Sequence, residues 1–275
     1  MAIITLTTDI GTNDFIVGAI KGQMLQALPD VQIADITHNL SPDNYLQAAY
    51  ICNGAFSHYP DNTIHIVLIQ LFEEPLSHLL IAEYKRQFII CPDNGILTMI
   101  VGERPLNVYA IPIPKALSMG ILHYTAQIIS WCKQFIETNQ LSSIATATAT
   151  FVEKYPPRFT AGQDWIDCQI IYVDRFENVV INITKQEFEE YRKSRSFKIV
   201  LPSRTDTHIE EIVSNYSAVK QSEKVAWFNS AGYLELAVKN GNIAGLFGLK
   251  SYAAQQSEAF TSRQLNYERV RIFFE

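Results

Sequence analysis

Residues 2–8 read AIITLTT, a β-branched run that halts at Asp9-Ile10-Gly11-Thr12. Apolar residues at helical spacing follow: Phe15, Ala19, Ile20, Met24, Leu25 and Leu28. A strand, a polar glycine turn and a helix, in that order, open an α/β unit. The pattern continues with a strand over 31–36, a helix over 46–56, a strand over 63–69, a strand over 86–91 and a helix from Gly95. The run Thr63–Ile69 is apolar without alternation, which predicts a strand buried on both faces. The alternation predicts a mainly parallel sheet with helices on both faces through about residue 130.

The pattern changes at 142–151, SSIATATATF, followed by Tyr155-Pro156-Pro157. Beyond it come short strand candidates at 165–172, 178–184, 197–201, 225–229, 233–238 and 270–274, separated by turn residues. This predicts two domains: an α/β domain over 1–152, and a mostly antiparallel, β-barrel-like domain over 153–275.

Composition excludes several classes. Hydrophobic residues make up 48% of the 275, which rules out a disordered chain. Twenty-two Lys and Arg against 28 Asp and Glu leave a formal charge of −6 and no basic stripe, so no nucleic-acid partner is expected. The longest apolar run, around 64–72, contains His65 and Gln70 and is too short for a membrane span. The start, MAIITLTTDI, has no charged segment or cleavage site of a secretory signal. Cys52, Cys91, Cys132 and Cys168 form no CxxC pair, which predicts neither a disulfide framework nor a metal site. These features point to a soluble protein of a bacterial cytoplasm.

Five polar clusters carry the candidate chemistry. Asp9 stands where the first strand ends, and in open α/β sheets ligands gather outside the carboxyl ends of the strands. A carboxylate there can accept both hydroxyls of a ribose. The same residues also suit an Asx turn with Thr12 or Asn13 capping the next helix. Asp35-Ile36-Thr37-His38 reads equally as a strand end with buried partners. Asp93-Asn94-Gly95 reads equally as a plain turn. Asp174 to Asn178, later joined by Asn182, and the stretch Asn229 to Asn242 each read as a hairpin or as the rim of a ligand site.

In order and spacing the five clusters resemble the S-adenosylmethionine hydroxide adenosyltransferase family, the relatives of fluorinase and chlorinase. Thr8-Asp9-Ile10-Gly11-Thr12-Asn13-Asp14 is similar to the family's TDFGT-x-D, with Ile10 for Phe. Asp35–His38 repeats its D-I-T-H, followed by a similar Pro42 turn and Ala48-Ala49 helix. Pro92 to Thr98 resembles P-D-N-G-L-L-T. Asp174 to Asn182 resembles D-x-F-G-N-x-x-T-N, with Glu177 for Gly. Asn229 to Asn242 follows N-S-x-G-Y-L-E-x-A-V-x-x-G-N.

The resemblance implies a homotrimer in which a ligand lies between the N-terminal domain of one subunit and the C-terminal domain of its neighbour. It implies that Asp9 holds the ribose hydroxyls and that Asp14 lies near the methionine portion. Asp174 would meet the ligand's ammonium group, Phe176 and Asn178 would frame the adenine, and Ser230 would contact the methionine carboxylate. S-adenosylmethionine or adenosine is then a ligand, and no cofactor is implied.

The resemblance breaks at the family's water-activating Asp, Arg and His. Aligned without gaps, Gln70 stands for the Asp, Phe72 for a Gly, Ser77 for the Arg and Met119 for the His. Gln70 cannot take up a proton as a carboxylate does, Ser77 supplies no positive charge, and Met119 is only a weak acceptor. Glu73, Glu74 and His78 offer substitutes within one loop, although such residues also suit a solvated surface. His123 reads as a packed or surface residue. The leading expectation is an adenosyl-binding protein without the standard hydrolytic triad. The alternatives are an active S-adenosylmethionine hydrolase with rearranged groups, and a structural protein without ligand.

Overall fold

The structure, a computed structural model, describes residues 2–72, 76–113, 120–201, 208–214, 216–249 and 269–275. The chain divides into two compact units, Met1–Pro156 and Pro157–Glu275.

The first unit runs β1 (Ile3–Thr8), α1 (Ile16–Ala27), β2 (Gln32–Thr37), α2 (Tyr45–Phe56), β3 (Ile64–Leu68), β4 (His78–Tyr84), β5 (Gln87–Pro92), α3 (Ile96–Val101), β6 (Val108–Pro112), α4 (Ile121–Thr138) and β7 (Thr146–Ala147). The strands form one sheet in the order β2-β1-β3-β5-β4-β6-β7. Pairings among β2, β1, β3 and β5 are parallel. Those from β5 through β4 and β6 to β7 are antiparallel. The sheet is therefore mixed rather than mainly parallel. The reason is local: Lys85 and Arg86 join β4 to β5 with φ of 48° and 64°. So tight a turn can only return the chain antiparallel.

Alternation along β1 sorts the two faces. Ile4 and Leu6 join Ile20 and Met24 of α1 and Ile128, Cys132 and Phe135 of α4 in one core. Thr5 and Thr7 point the other way, where Thr5 Oγ1 meets His65 Nδ1 at 2.8 Å and Cys52 of α2 lies against Thr7. On that side α2 packs on α3. Every residue of β3 is buried, as its continuous apolar run predicts. His65 within it stacks on Phe56 with ring centroids 3.7 Å apart and reaches Gln87 Oε1 at 3.2 Å. Burial holds its pKa down at about 4.

The second unit runs β8 (Thr160–Ala161), β9 (Trp165–Val173), β10 (Val179–Thr184), α5 (Lys185–Arg192), β11 (Phe197–Val200), β12 (His208–Ile209), β13 (Lys224–Phe228), β14 (Tyr233–Val238), α6 (Ile243–Leu246) and β15 (Arg269–Phe274). Its main sheet is antiparallel in the order β12-β11-β15-β9-β10-β14-β13, with β8 added beside β9. Ile212, just past β12, bridges to Ala226 of β13. That contact brings the two ends of the order together into a nearly closed barrel. A capping box starts α5: the Thr184 hydroxyl accepts from Glu187 N–H while the Glu187 carboxylate accepts from Thr184 N–H. This aims Phe188 into the barrel, where its ring lies 5.2 Å from Phe197 and 5.7 Å from Phe228. Truncating such a ring to alanine typically costs about 3–5 kcal/mol.

Among the described residues no helix is long and apolar enough to cross a membrane. All four cysteines are buried and unpaired, and burial pushes the Cys52 thiol up to about 12, so it stays protonated.

Candidate functional site

Because β1, β3 and β5 run parallel and adjacent, their carboxyl ends place Asp9, Gln70 and Asp93-Asn94 along one sheet edge. His78 joins them because antiparallel β4 begins at that edge. The loop after β1 is folded by its own backbone. Gly11, at φ 82°, donates its N–H to His38 O at 2.6 Å. The Thr8 hydroxyl meets His38 Nδ1 at 2.9 Å. The Asp35–His38 cluster thus braces the opening loop, with Asp35 also paired to Lys21 at 2.5 Å.

Asp9 is half-buried, and its Oδ2 accepts the main-chain N–H of Gln70 at 2.8 Å. Burial raises its pKa above the usual carboxylate value, while that N–H pulls the other way. A carboxylate has about four lone-pair positions, so capacity remains for a diol. Gln70 sits at φ 50°. Its side chain is committed at both ends: Oε1 accepts the Tyr45 hydroxyl at 2.5 Å, and Nε2 donates to Asp43 Oδ1 at 2.9 Å. The Lys154 ammonium lies 4.3 Å from the centre of the Tyr45 ring. Lys154 is itself held against Gly95, where an added Cβ would come within 2.6 Å of its side chain, so glycine is required there. Asn94 ties the end of β5 to that of β3 by donating to Ile69 O at 3.0 Å.

Farther along the edge is a hydrogen-bonded chain. Ser77 Oγ meets His78 Nδ1 at 2.9 Å, and His78 Nε2 meets Asp93 Oδ2 at 3.0 Å. Asp93 Oδ1 accepts the Val152 N–H at 2.7 Å, which fixes the carboxylate. Phe72 is 55% exposed and sets its ring edge-to-face with Tyr124 at 5.4 Å.

Asp14 is exposed and accepts the Ile16 N–H at the start of α1, so it supplies the helix-start bond expected of Thr12 or Asn13. His123 is exposed on the first turn of α4. Glu73, Glu74 and Met119 lie outside the described residues.

The second unit holds the other motif group. Asp174 Oδ1 accepts the N–H groups of Phe176 and Asn178, both at 2.8 Å, and its Oδ2 accepts Asn178 Nδ2 at 3.0 Å. This staples a tight loop in which Glu177 adopts φ 63°. A left-handed conformation is one that glycine enters without strain. Glu177 holds this conformation although it carries a side chain, with the Asp174 bonds fixing the loop. Phe176 stands 75% exposed at its tip. Asn229 Oδ1 accepts from Ala231 N–H at 3.0 Å and Tyr233 N–H at 3.2 Å, shaping the turn that carries exposed Ser230.

Glu235 links the two loops. Its Oε1 accepts from Asn178 Nδ2 at 3.2 Å, and its Oε2 accepts from Asn229 Nδ2 at 2.9 Å. Burial raises its pKa, with Asp174 adding to the effect and the two amides opposing it.

Sequence reasoning did not single out Tyr45, Asp43 or Lys154, and it gave Glu235 no role of its own. Glu235 had two local signals: it is the acid of the Asn229–Asn242 motif, and it stands alone inside the apolar strand YLELAV. Tyr45 and Asp43 meet Gln70, and Lys154 meets Tyr45, only through tertiary folding. No group of three or more His, Cys, Asp or Glu is arranged to hold a metal ion among the described residues.

A family model for the SAM hydroxide adenosyltransferase N-terminal domain matches residues 4–126, and one for the corresponding C-terminal domain matches 168–254. An (R)-S-adenosyl-L-methionine hydrolase of Methanocaldococcus jannaschii is 26% identical over 260 residues, covering 90% of this chain and 92% of that one. Its counterpart from Thermus thermophilus is 21% identical over 265 residues, covering 88% and 94%. The fold matches the crystal structure of an uncharacterized conserved protein from Thermotoga maritima, with TM-score 0.76, 19% identity and coverage of 99% and 100%. It also matches a conserved hypothetical protein from Thermus thermophilus, with TM-score 0.71, 18% identity and full coverage of both chains.

Proposed function

The chain belongs to the S-adenosylmethionine hydroxide adenosyltransferase family, and from that premise we propose that it binds S-adenosylmethionine or adenosine without hydrolysing it by the family's usual route. The state of Gln70 carries this reading. It stands where the family resemblance has a water-activating Asp, and its amide oxygen and nitrogen are both engaged, by Tyr45 and Asp43. An amide takes up no proton near neutral pH, so it cannot ease deprotonation of a water aligned with the sulfonium leaving group. Ser77 likewise brings no positive charge to favour hydroxide. Asp9 keeps the acceptor capacity a ribose diol needs. Asp14, Asp174, Phe176, Asn178 and Ser230 supply the rest of the binding frame.

In this reading the protein is a cytoplasmic homotrimer, and the ligand lies between the first unit of one subunit and the second unit of its neighbour. Neither a metal nor a cofactor takes part. Incubating the protein with S-adenosylmethionine and separating the mixture by chromatography tests the reading. Ligand retained unchanged supports it, and accumulating adenosine and methionine overturns it.

A second reading has its own observation. The Ser77–His78–Asp93 chain places an oriented imidazole on the same sheet edge as Asp9. With Nδ1 accepting from Ser77, the imidazole could take the hydroxyl's proton as the hydroxyl takes one from a water held by it, restoring hydrolysis to adenosine and methionine. Adenosine formation lost in His78→Asn would establish this second reading in place of the first.

A further inference from the structure

We propose that Glu235 is a positioning residue, whose two carboxylate oxygens lock the 174–178 loop and the 229–233 turn into a single ligand-facing unit. This rests on the binding function proposed above and deepens it.

The hydrogen-bond directions require two acceptors at this point. Asn178 directs its Nδ2 to Asp174 Oδ2 as well as to Glu235 Oε1, so flipping its amide would set an oxygen against the Asp174 carboxylate. Asn229 uses its Oδ1 to accept two main-chain N–H groups, so its Nδ2 must be the group that faces Glu235. Two fixed donors therefore converge on position 235. Among side chains of this size, only an ionised carboxylate offers an acceptor to both. Both bonds are charge-assisted, and the acid is 8% exposed. One bond ends on Asn178, assigned to the adenine. The other ends on the residue preceding Ser230, assigned to the methionine carboxylate. Displacing the bridge moves both contacts together.

The same geometry supplies a test by exchange. In Glu235→Gln, one amide nitrogen must face one of the two Asn donors, and that bond is lost. In Asn229→Asp, the main-chain bonds survive but two carboxylates meet. In the double variant, the carboxylate introduced at position 229 accepts from the amide nitrogen introduced at position 235. The amide oxygen at position 235 accepts from Asn178. Both bonds and the net charge return, with donor and acceptor reversed.

Adenosine affinity is measured by calorimetry for all four proteins, well below melting temperatures established by circular dichroism. The expected result is a loss of about tenfold or more in each single variant. The double variant should recover to within about threefold of wild type. Single variants that bind like wild type while melting lower reduce the bridge to a structural role and overturn the proposal. Failure of the double variant to recover also overturns it, because the hydrogen-bond pattern is then not the cause. If wild type itself binds no adenosine, the binding function fails first and the positioning role falls with it.

Discussion

The main-chain N–H of Gln70 donates to Asp9 Oδ2 at 2.8 Å. One loop residue thus holds the acid assigned to the ribose, while its own side chain stands where the family resemblance has a water-activating acid. Binding and chemistry are consequently separable at this edge of the sheet. Asp9 can be altered without touching Gln70's side-chain bonds, and Gln70's side chain without losing the N–H that steadies Asp9.

Asp9→Asn is expected to weaken adenosine binding by about ten- to a hundredfold, the loss of one or more charge-assisted hydrogen bonds. It should not lower the melting temperature at pH 7. Asn keeps an acceptor for Gln70 N–H and removes a charge that burial disfavours. The sign follows from the raised pKa: the folded state holds this proton at higher pH than the unfolded chain, so the ionised acid detracts from stability at neutral pH. Calorimetry paired with thermal melting checks both outcomes. Equal adenosine affinity in the variant and wild type would contradict the assignment.

Gln70→Asp returns a carboxylate to the site but sets it against Asp43 and forfeits the Nε2 bond. The expected cost is about 1–2 kcal/mol in stability, measured by urea unfolding. No multiple turnover of S-adenosylmethionine should appear, because Ser77 still supplies no positive charge. Turnover restored by this single change would show that the missing cation does not matter.

His65 should make the first unit acid-sensitive. The unfolded chain takes up its proton near pH 6.5 and the folded protein only near 4. Unfolding therefore binds a proton between those values. This contribution to stability is intact above about pH 6.5 and falls as pH drops towards 4. At pH 4.5 the loss relative to pH 7 amounts to about 2.5 kcal/mol. Urea unfolding at the two pH values should show a decrement larger in wild type than in His65→Gln by about that amount.

The two motif groups lie in separate units, Asp9 in one and Asp174 with Ser230 in the other. The family resemblance joins such groups across subunits. Light scattering at micromolar concentration is expected to give the mass of three chains. A stable monomer would remove the shared site.

The opening β1–α1 unit, the fully buried β3 and the strands of the second unit follow from periodicity, because each buries a face whose spacing shows in the residues themselves. The β4–β5 hairpin does not. Its turn needs positive φ twice, and Lys85 and Arg86 provide it without the Asn or Gly that usually announces such a turn. That hairpin is why the sheet is mixed. Motif order picks out Asp9, Asp174, Asn178 and Ser230 as candidates, since each lies within a short segment. Tyr45 and Asp43 around Gln70, and Glu235 between two asparagines 51 positions apart in sequence (178 and 229), depend on contacts between distant segments. Spacing along the chain places Glu235 in the Asn229–Asn242 motif but carries no trace of these contacts between distant segments.

The central claim is binding of an adenosyl ligand without the family's hydrolysis. The most direct measurement is chromatographic quantification of S-adenosylmethionine and adenosine after the wild-type protein has been equilibrated with S-adenosylmethionine and the bound fraction recovered. The account predicts S-adenosylmethionine in the bound fraction, unchanged. Adenosine accumulating at an enzymatic rate, about one per second or faster, or a bound fraction empty of both compounds, would contradict it.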